Sequence, residues 1–175
     1  MIQRFVLCTF LVLLPALETV CCAQPKAGEQ QLPKEITGES YWYNYAMQRV
    51  LKSSVQDGYI VGTIQARHGL SNFRVRRDVA EKPDVKSRGL KMAFEELVSW
   101  LKTTSREFAL ARLRAMSGQQ LSETSEWEKW YSLNGSYLVW SDRKSLFVVD
   151  EEAKRARMST EEYRKNHPWI DIPWK

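Results

Sequence analysis

Cysteine is scarce in this 175-residue chain, and all three cysteines lie near the N-terminus, at Cys8, Cys21 and Cys22. Removal of residues 1–23, for reasons given below, would leave no cysteine in the remaining chain. Disulfide bonds and thiolate metal sites are then excluded. A domain of about 150 residues can bury a sufficient hydrophobic core without either, so we expect a fold that is stabilised by its core alone.

Histidine-based and glycine-based catalytic motifs are also missing. His68 and His167 are the two histidines of the chain, whereas a zinc site needs three or four protein ligands. The sequence contains no Gly-x-Ser-x-Gly nucleophile elbow, no glycine-rich phosphate-binding loop and no dinucleotide-binding fingerprint. We therefore predict no catalytic residue, no metal and no small-molecule cofactor.

One arrangement for hydrolysis remains. His167 and Asp171 could form a hydrogen-bonded dyad, with the hydroxyl of Ser159 or Tyr163 as the nucleophile. No motif supports this combination. The adjacent glutamates of predicted helices point about 100° apart, so they do not converge on one glycosidic bond. A cryptic hydrolase is therefore the second alternative to a binding role.

Long apolar runs are absent as well. The longest run, Phe5–Leu17, is interrupted by Glu18 and is shorter than the roughly 20 residues that cross a bilayer. Arg4 precedes this run, and small residues occupy the −3 and −1 positions before Gln24. Together these features are typical of a secretory signal peptide over residues 1–23.

The signal peptide predicts cleavage between Ala23 and Gln24 and a periplasmic or secreted protein. Two alternatives remain. An uncleaved segment would be an N-terminal membrane anchor, and cleavage before Cys21 or Cys22 would leave a lipid-carrying cysteine at the new N-terminus. The residues before these two cysteines, Thr19 and Val20, do not fit the small-residue pattern of a lipoprotein signal.

The charge balance is mildly basic. The chain has a formal net charge of +5, and because Arg4 and Glu18 cancel, residues 24–175 carry the same charge. This excess suits lipid headgroups, acidic polysaccharide or another protein, and it requires none of them. The basic cluster comprises Arg67, Arg74, Arg76, Arg77 and Lys82. We interpret it as a solvated strand edge. Nucleic acid is not an expected partner, because the protein is exported and lacks a recognition motif.

Hydrophobic periodicity predicts a mainly α-helical single domain over residues 37–165. Residues 24–36 are a flexible leader, and residues 166–175 form an irregular tail of tryptophan and proline. Helical spacing of apolar residues predicts a helix over 40–56, closed by Gly58. Residues 59–66 fit either a strand or a short helix, 67–69 a turn and 73–79 an extended piece.

The strongest pattern is an apolar stripe that predicts a helix over 84–103. A second helix over 105–117 follows a capping box at Thr104–Glu107, so the two form a helical hairpin at 84–117. A capping box at Ser125–Glu128 opens a short helix, and residues 136–149 are typical of a small antiparallel β-hairpin. A helix over 151–157 and a capping box at Ser159–Glu162 predict a short C-terminal helix.

Aromatic residues are the candidates for binding. The candidates are Trp127, Trp130, Tyr131, Tyr137, Trp169 and Trp174. One interpretation is that the tryptophans of the short helix build the core. The other is an exposed platform that stacks on sugar rings or anchors a protein. The last two lie beside prolines, where they either fasten the terminus to the fold or present a recognition segment.

Part of the chain resembles a known architecture. Residues Lys91–Gly118 resemble one unit of a HEAT-like helical repeat. The following Trp-x-x-Trp pair, the strand pair and the Asp150–Lys154 segment are similar to a tail on exported bacterial proteins related to such repeats. The resemblance implies a non-enzymatic, protein-contacting module of the bacterial envelope. Repeat architectures need three or more stacked units, and only one is evident, so the tail or a partner would cover it.

Export, the resemblance and the missing catalytic motifs lead to one functional hypothesis. We predict a non-catalytic interaction module whose partner is another envelope or extracellular protein. The first alternative is a module that binds carbohydrate or another envelope polymer through its clustered aromatic residues.

We expect mass spectrometry of the secreted or periplasmic fraction to find a mature N-terminus at Gln24, because the segment before it has the length and charge of a cleaved signal. The membrane pellet serves as the comparison. Detection of intact Met1 in that pellet would mean that residues 1–23 anchor the protein.

Overall fold

The computed structural model describes residues 33–169. Its helices are α1 (Gly38–Ala46), α2 (Arg77–Ala80), α3 (Pro83–Trp100), α4 (Arg106–Ser117), α5 (Thr124–Asn134), α6 (Glu151–Ala156) and α7 (Thr160–Asn166), with a 3-10 turn at Gly135–Tyr137. Its strands are β1 (Lys34–Glu35), β2 (Val50–Gln56), β3 (Tyr59–Ala66), β4 (Gly69–Arg76), β5 (Leu138–Ser141) and β6 (Leu146–Val149).

The fold class is α+β, and the prediction of a mainly α domain is wrong. The structure is about 51% helical and 24% strand. A four-stranded mixed sheet has the order β1-β4-β3-β2, with β1 parallel to β4 and the other pairs antiparallel, and β5 and β6 form a second, two-stranded sheet. The chain enters the first sheet at Lys34–Glu35, within the segment interpreted as a leader.

The predicted helix over 40–56 is two elements. α1 ends at Ala46, and Gln48 takes a left-handed φ of 55° that a helix cannot continue through. β2 then runs to Gln56. Asp57 and Gly58 both have positive φ and close a two-residue hairpin into β3, which is the Asp-Gly turn that favours antiparallel strands. This turn also decides that residues 59–66 are a strand.

Other predicted elements are present with shifted boundaries. The helices expected over 84–103 and 105–117 are α3 and α4, and the β-hairpin is β5–β6. The capping boxes at Thr104 and Ser125 are wrong. No side chain caps α4, and the Glu126 carboxylate accepts the backbone amides of Ser122 and Glu123 instead. The Ser159 hydroxyl accepts the amide of Glu162, as expected for α7.

The apolar side chains form two clusters, and α1 contributes to both. The smaller cluster lies under the four-stranded sheet, where Tyr41 of α1 contacts Phe73 of β4. The larger one surrounds α3, with Phe94 and Leu97 fully buried, and takes residues from α1, α4, α5 and the β5–β6 hairpin. The α3–α4 pair is thus packed into an α+β domain on several sides.

Two glycines allow α1 and α3 to pack closely. A Cβ atom on Gly89 of α3 would lie 2.4 Å from the backbone oxygen of Glu39 and 2.8 Å from Cβ of Trp42. A Cβ atom on Gly38 of α1 would lie 2.5 Å from a methyl carbon of Val85. Glycine is therefore required by the helix spacing at both positions, because any side chain would push the helices apart.

No helix within residues 33–169 combines the length and the apolar character needed to cross a membrane.

We expect Gly89→Ala to lower the free energy of unfolding by about 1–3 kcal/mol, because the new methyl group overpacks the α1–α3 contact. The sign of this change is informative, because replacing glycine by alanine inside an exposed helix normally raises the stability of the protein by about 1 kcal/mol. Urea denaturation followed by tryptophan fluorescence measures the change. Met92→Ala on the solvent side of α3, where the side chain is 51% exposed, is the control. A more stable Gly89→Ala variant would contradict the close contact.

Candidate functional site

The structure places the tryptophans of the short helix in or against the core. Trp127 has no accessible surface, and its indole nitrogen donates to the Leu121 carbonyl at 3.2 Å. Trp130 is partly buried and packs 5.9 Å from the Phe94 ring. Tyr131 stacks on the same ring at 5.7 Å, and burial together with its hydrogen bond to Glu95 raises the pKa of its phenol. Through these contacts with Phe94, α5 packs against α3.

The other predicted binding residues lie apart from that cluster. Tyr137 is partly buried in the 3-10 turn, where its carbonyl accepts the Asp150 amide at 2.8 Å. Trp169 stacks against the Arg164 guanidinium at 3.2 Å from the ring centroid, which fastens the chain to α7. Trp174 lies outside the described residues. The five candidates within the described residues therefore do not come together as one platform.

The described part of the proposed dyad has local roles. The His167 ring stacks on Tyr163 at 4.3 Å, and its Nδ1 lies 3.1 Å from the Tyr163 carbonyl. The Ser159 hydroxyl accepts the amide of Glu162 at the start of α7. Asp171 lies outside the described residues. His167 and Ser159 thus both complete the ends of α7.

Three cavities meet at Asp142, in the loop between β5 and β6. The α7 cavity, of about 430 Å³, lies between α3, β5 and α7 and includes Trp140 and Trp169. The α4 cavity, of about 360 Å³, includes Trp42, Trp140 and Arg112. The β2 cavity, of about 450 Å³, lies between α1 and β2 and includes Tyr41 and Trp42. Since neighbouring cavities share tryptophans, we call the three together the tryptophan groove.

A charged pair marks the centre of the tryptophan groove. Lys86 of α3 forms an ion pair with Asp142, and the same ammonium lies 4.4 Å from the centroid of the Trp42 ring. The Trp140 indole nitrogen donates to Asp142 at 3.0 Å, while the Trp42 indole donates to the Ala80 carbonyl at 2.7 Å. These bonds hold both indoles in defined orientations beside the cavities, as a preorganised binding surface requires.

Arg164 holds the wall of the α7 cavity. It donates two hydrogen bonds to the buried Asp150 carboxylate, at 2.8 and 2.9 Å, and a third to Glu152. Burial alone would lower the pKa of Arg164, and these hydrogen bonds raise it instead. Asp150 also caps α6 by accepting the amide of Ala153. The pair therefore links the start of α6 to α7, and through Arg164 also to Trp169.

Two polar side chains at the tryptophan groove form no hydrogen bond or ion pair within the described residues. The Thr160 hydroxyl, in the α7 cavity, is buried without a hydrogen-bond partner. Lys91 lines the same cavity and is partly buried. Among the partly buried lysines and arginines of residues 33–169, Lys91 alone has no hydrogen bond or ion pair. Unsatisfied polar groups beside an apolar cavity are typical of a ligand site.

The sequence offered little indication of these residues. Trp42 and Trp140 follow the apolar patterns of a helix and a strand, and Asp142 lies in a polar turn. Lys86 and Asp142 are 56 positions apart. Their proximity depends on how β5 packs on α3, and no local pattern carries that information.

Comparison with protein-family models, with curated proteins and with solved structures finds no match to this chain.

We expect Trp127→Ala to cost about 3–5 kcal/mol of unfolding free energy, because it empties the largest fully buried side chain of the core. Trp130→Ala should cost less, since that indole is only partly buried. Leu133→Ala, on the exposed side of α5, is the control. Thermal melts of all three variants compare them, and a melt of Trp127→Ala that matches the wild type would contradict the packing.

Proposed function

We propose that this protein is a non-catalytic, exported module that binds carbohydrate in the tryptophan groove. The observation that carries the proposal is the α7 cavity, where two indoles face a wall with hydroxyl groups. Its lining includes Trp140, Trp169, Ser87, Ser159 and Thr160. Sugar rings combine apolar faces with hydroxyls at their edges, so indole faces and hydrogen-bonding groups recognise them together.

The contacts that orient the indoles of the tryptophan groove support the same function. Trp140 is held by Asp142 and packs edge-on against Phe147 at 5.3 Å, and Trp169 is held by Arg164. A binding surface whose side chains are already ordered loses little conformational entropy when the ligand arrives. The Asp142 carboxylate is itself engaged by Lys86 and Trp140, which suits a positioning role better than acid–base chemistry. The signal peptide predicted at residues 1–23 would direct the protein to export.

Contact with another protein is the second candidate. The observation in its favour is β2, whose outer edge carries exposed apolar side chains, with Leu51 at 57% and Val55 at 54% exposure. β2 is the last strand in the order of the sheet. An unpaired edge can add a strand from a partner. Leu51 lies outside the lining of the three cavities, so the two candidates can be tested separately.

We expect Trp169→Ala to weaken the binding of glucan, chitin or uronate oligomers at least about tenfold, since one stacking face is lost. Thr160→Val should weaken binding while leaving the melting temperature unchanged or slightly higher, because it replaces an unsatisfied hydroxyl by an isosteric methyl group. Isothermal titration calorimetry on the purified chain measures the affinity, and thermal melts report the fold.

Two controls separate the candidates. Trp100→Ala removes an indole that packs on Phe108, away from the tryptophan groove, and should leave sugar affinity unchanged. Leu51→Lys charges the β2 edge and should also leave it unchanged. Absence of binding to every oligomer would overturn the carbohydrate proposal. A protein partner whose binding is lost in Leu51→Lys but kept in Trp169→Ala would establish the second candidate in its place.

A further inference from the structure

We propose that the tryptophan groove binds an extended acidic polysaccharide, with carboxylates on different sugar units recognised by Lys91 and Arg112. The inference rests on the proposed carbohydrate function and specifies its substrate class. It follows from two observations, the residues that neighbouring cavities share in their linings and the positions of two cavity cations that form no ion pair within residues 33–169.

The cavities provide a path for several sugar rings. Trp140 lines both the α7 cavity and the α4 cavity, and Trp42 lines both the α4 cavity and the β2 cavity. Trp169, Trp140 and Trp42 therefore follow one another along the tryptophan groove. Asp142 lines all three cavities and lies at their junction. Such a succession of aromatic side chains fits a polymer better than a single small molecule, which would occupy one cavity.

The charges along this path favour an anionic ligand. Most cations near the path are already paired: Lys86 with Asp142, Arg88 with Glu39 and Asp84, and Arg164 with Asp150 and Glu152. Within the described residues 33–169, Lys91 in the α7 cavity forms no hydrogen bond and no ion pair. In the same part of the chain, Arg112 in the neighbouring α4 cavity donates to the backbone carbonyl of Ala46 at 2.9 Å and to no carboxylate.

Burial makes the unbalanced charge of Arg112 costly. Desolvation lowers the pKa of its guanidinium, and arginine nevertheless stays protonated in proteins. A partly buried cation without an acidic partner gains more from a bound anion than a hydrated surface lysine does. Lys91 and Arg112 lie in cavities that share Trp140, so one polymer chain can reach both.

One of the four carboxylates that line the tryptophan groove should have the opposite effect. Glu81, Asp84 and Asp142 are paired with basic residues, whereas Glu161 in the α7 cavity is exposed and forms no ion pair in the described residues. It should repel an acidic ligand weakly. Glu161→Gln therefore tests the sign of the electrostatic contribution, since it removes a charge at the rim and keeps the shape of the side chain.

The arginines of β4 and of α2 are less suited to this ligand. Arg74 pairs with Glu35, Arg76 with Asp78 and Arg77 with Glu81. Their charges are balanced locally, and none of the three residues lines a cavity of the tryptophan groove. Among the cations that line the three cavities, Lys91 and Arg112 are the two without an ion pair within residues 33–169.

The test compares uronate oligomers with neutral glucan oligomers of matched length, each a dimer, tetramer or hexamer, by isothermal titration calorimetry on the purified chain. We expect the uronates to bind more tightly, with an affinity that rises with length and falls with added salt. Lys91→Gln and Arg112→Gln should each weaken uronate binding about fivefold. Glu161→Gln should strengthen it.

Matched variants protect the result against misfolding. Arg112→Lys keeps the positive charge and should retain most of the uronate affinity. This variant remains informative if Arg112→Gln is less stable because it lacks the hydrogen bond to the Ala46 carbonyl. Lys129→Gln removes an exposed charge on α5 that forms no ion pair with the described residues and lies outside the lining of the three cavities, and it should leave the affinity unchanged. Equal losses in Lys91→Gln and Lys129→Gln would mean that only net charge matters, which would overturn the assignment.

Further outcomes separate this inference from the proposed function. Equal affinity for neutral and acidic oligomers, unchanged in Lys91→Gln and Arg112→Gln, would overturn the acidic ligand and leave carbohydrate binding intact. An affinity that does not rise with oligomer length would overturn the extended site. Binding of polyglutamate or of anionic lipid vesicles, without binding of uronates, would assign the two cations to another ligand. Failure of every oligomer would end both proposals.

Discussion

The close contact between α1 and α3 is the constraint on which the rest of the structure depends. Glycine at positions 38 and 89 lets the two helices approach until backbone and Cβ atoms touch. α1 thereby buries Tyr41 against the sheet and Ala46 against the larger core. A wider spacing would separate the two apolar clusters, because α1 is the element they share.

The tryptophan groove is a consequence of this packing. Trp42 emerges from α1 and Lys86 from α3, so the helix spacing sets the distance between the indole and the ammonium. The β5–β6 hairpin packs on α3 and α4 and brings Trp140 and Asp142 to the same place. On the other side, the buried Arg164–Asp150 pair joins α6 to α7 and supports Trp169. The binding surface is therefore assembled from elements whose mutual positions the core determines.

Charge pairing divides the surface into balanced and unbalanced parts. Arg74 and Arg76 of β4 and Arg77 of α2 each form an ion pair with a neighbouring carboxylate. Exposed pairs of this kind contribute little to stability, but they balance these three positive charges locally. Lys91 and Arg112 differ because they are partly buried beside indoles. Their position, rather than the overall charge of +5, is what favours an acidic ligand.

Local patterns predicted the parts of the fold that local energies decide. The apolar stripe of α3, the β5–β6 hairpin and the Ser159 cap of α7 follow from residues within a few positions of one another. The pattern over 40–56 was misleading, since its apolar spacing fits a helix while the Asp57–Gly58 turn favours a hairpin. Pairing of β2 with β3 resolved the conflict, because ladder hydrogen bonds outweigh a weak helical preference.

The sequence by itself determined the hypothesis of an export signal, the absence of cysteine from residues 24–175, the absence of common catalytic motifs, and the clustering of aromatic residues along the chain. Only the tertiary structure decided which aromatic residues are buried in that core and which line a cavity. Trp127 and Trp140 both lie in amphipathic segments, yet one is fully buried and the other faces the tryptophan groove. The reason is physical: burial depends on which distant elements pack against a face, and a periodic pattern specifies the face without specifying its neighbour.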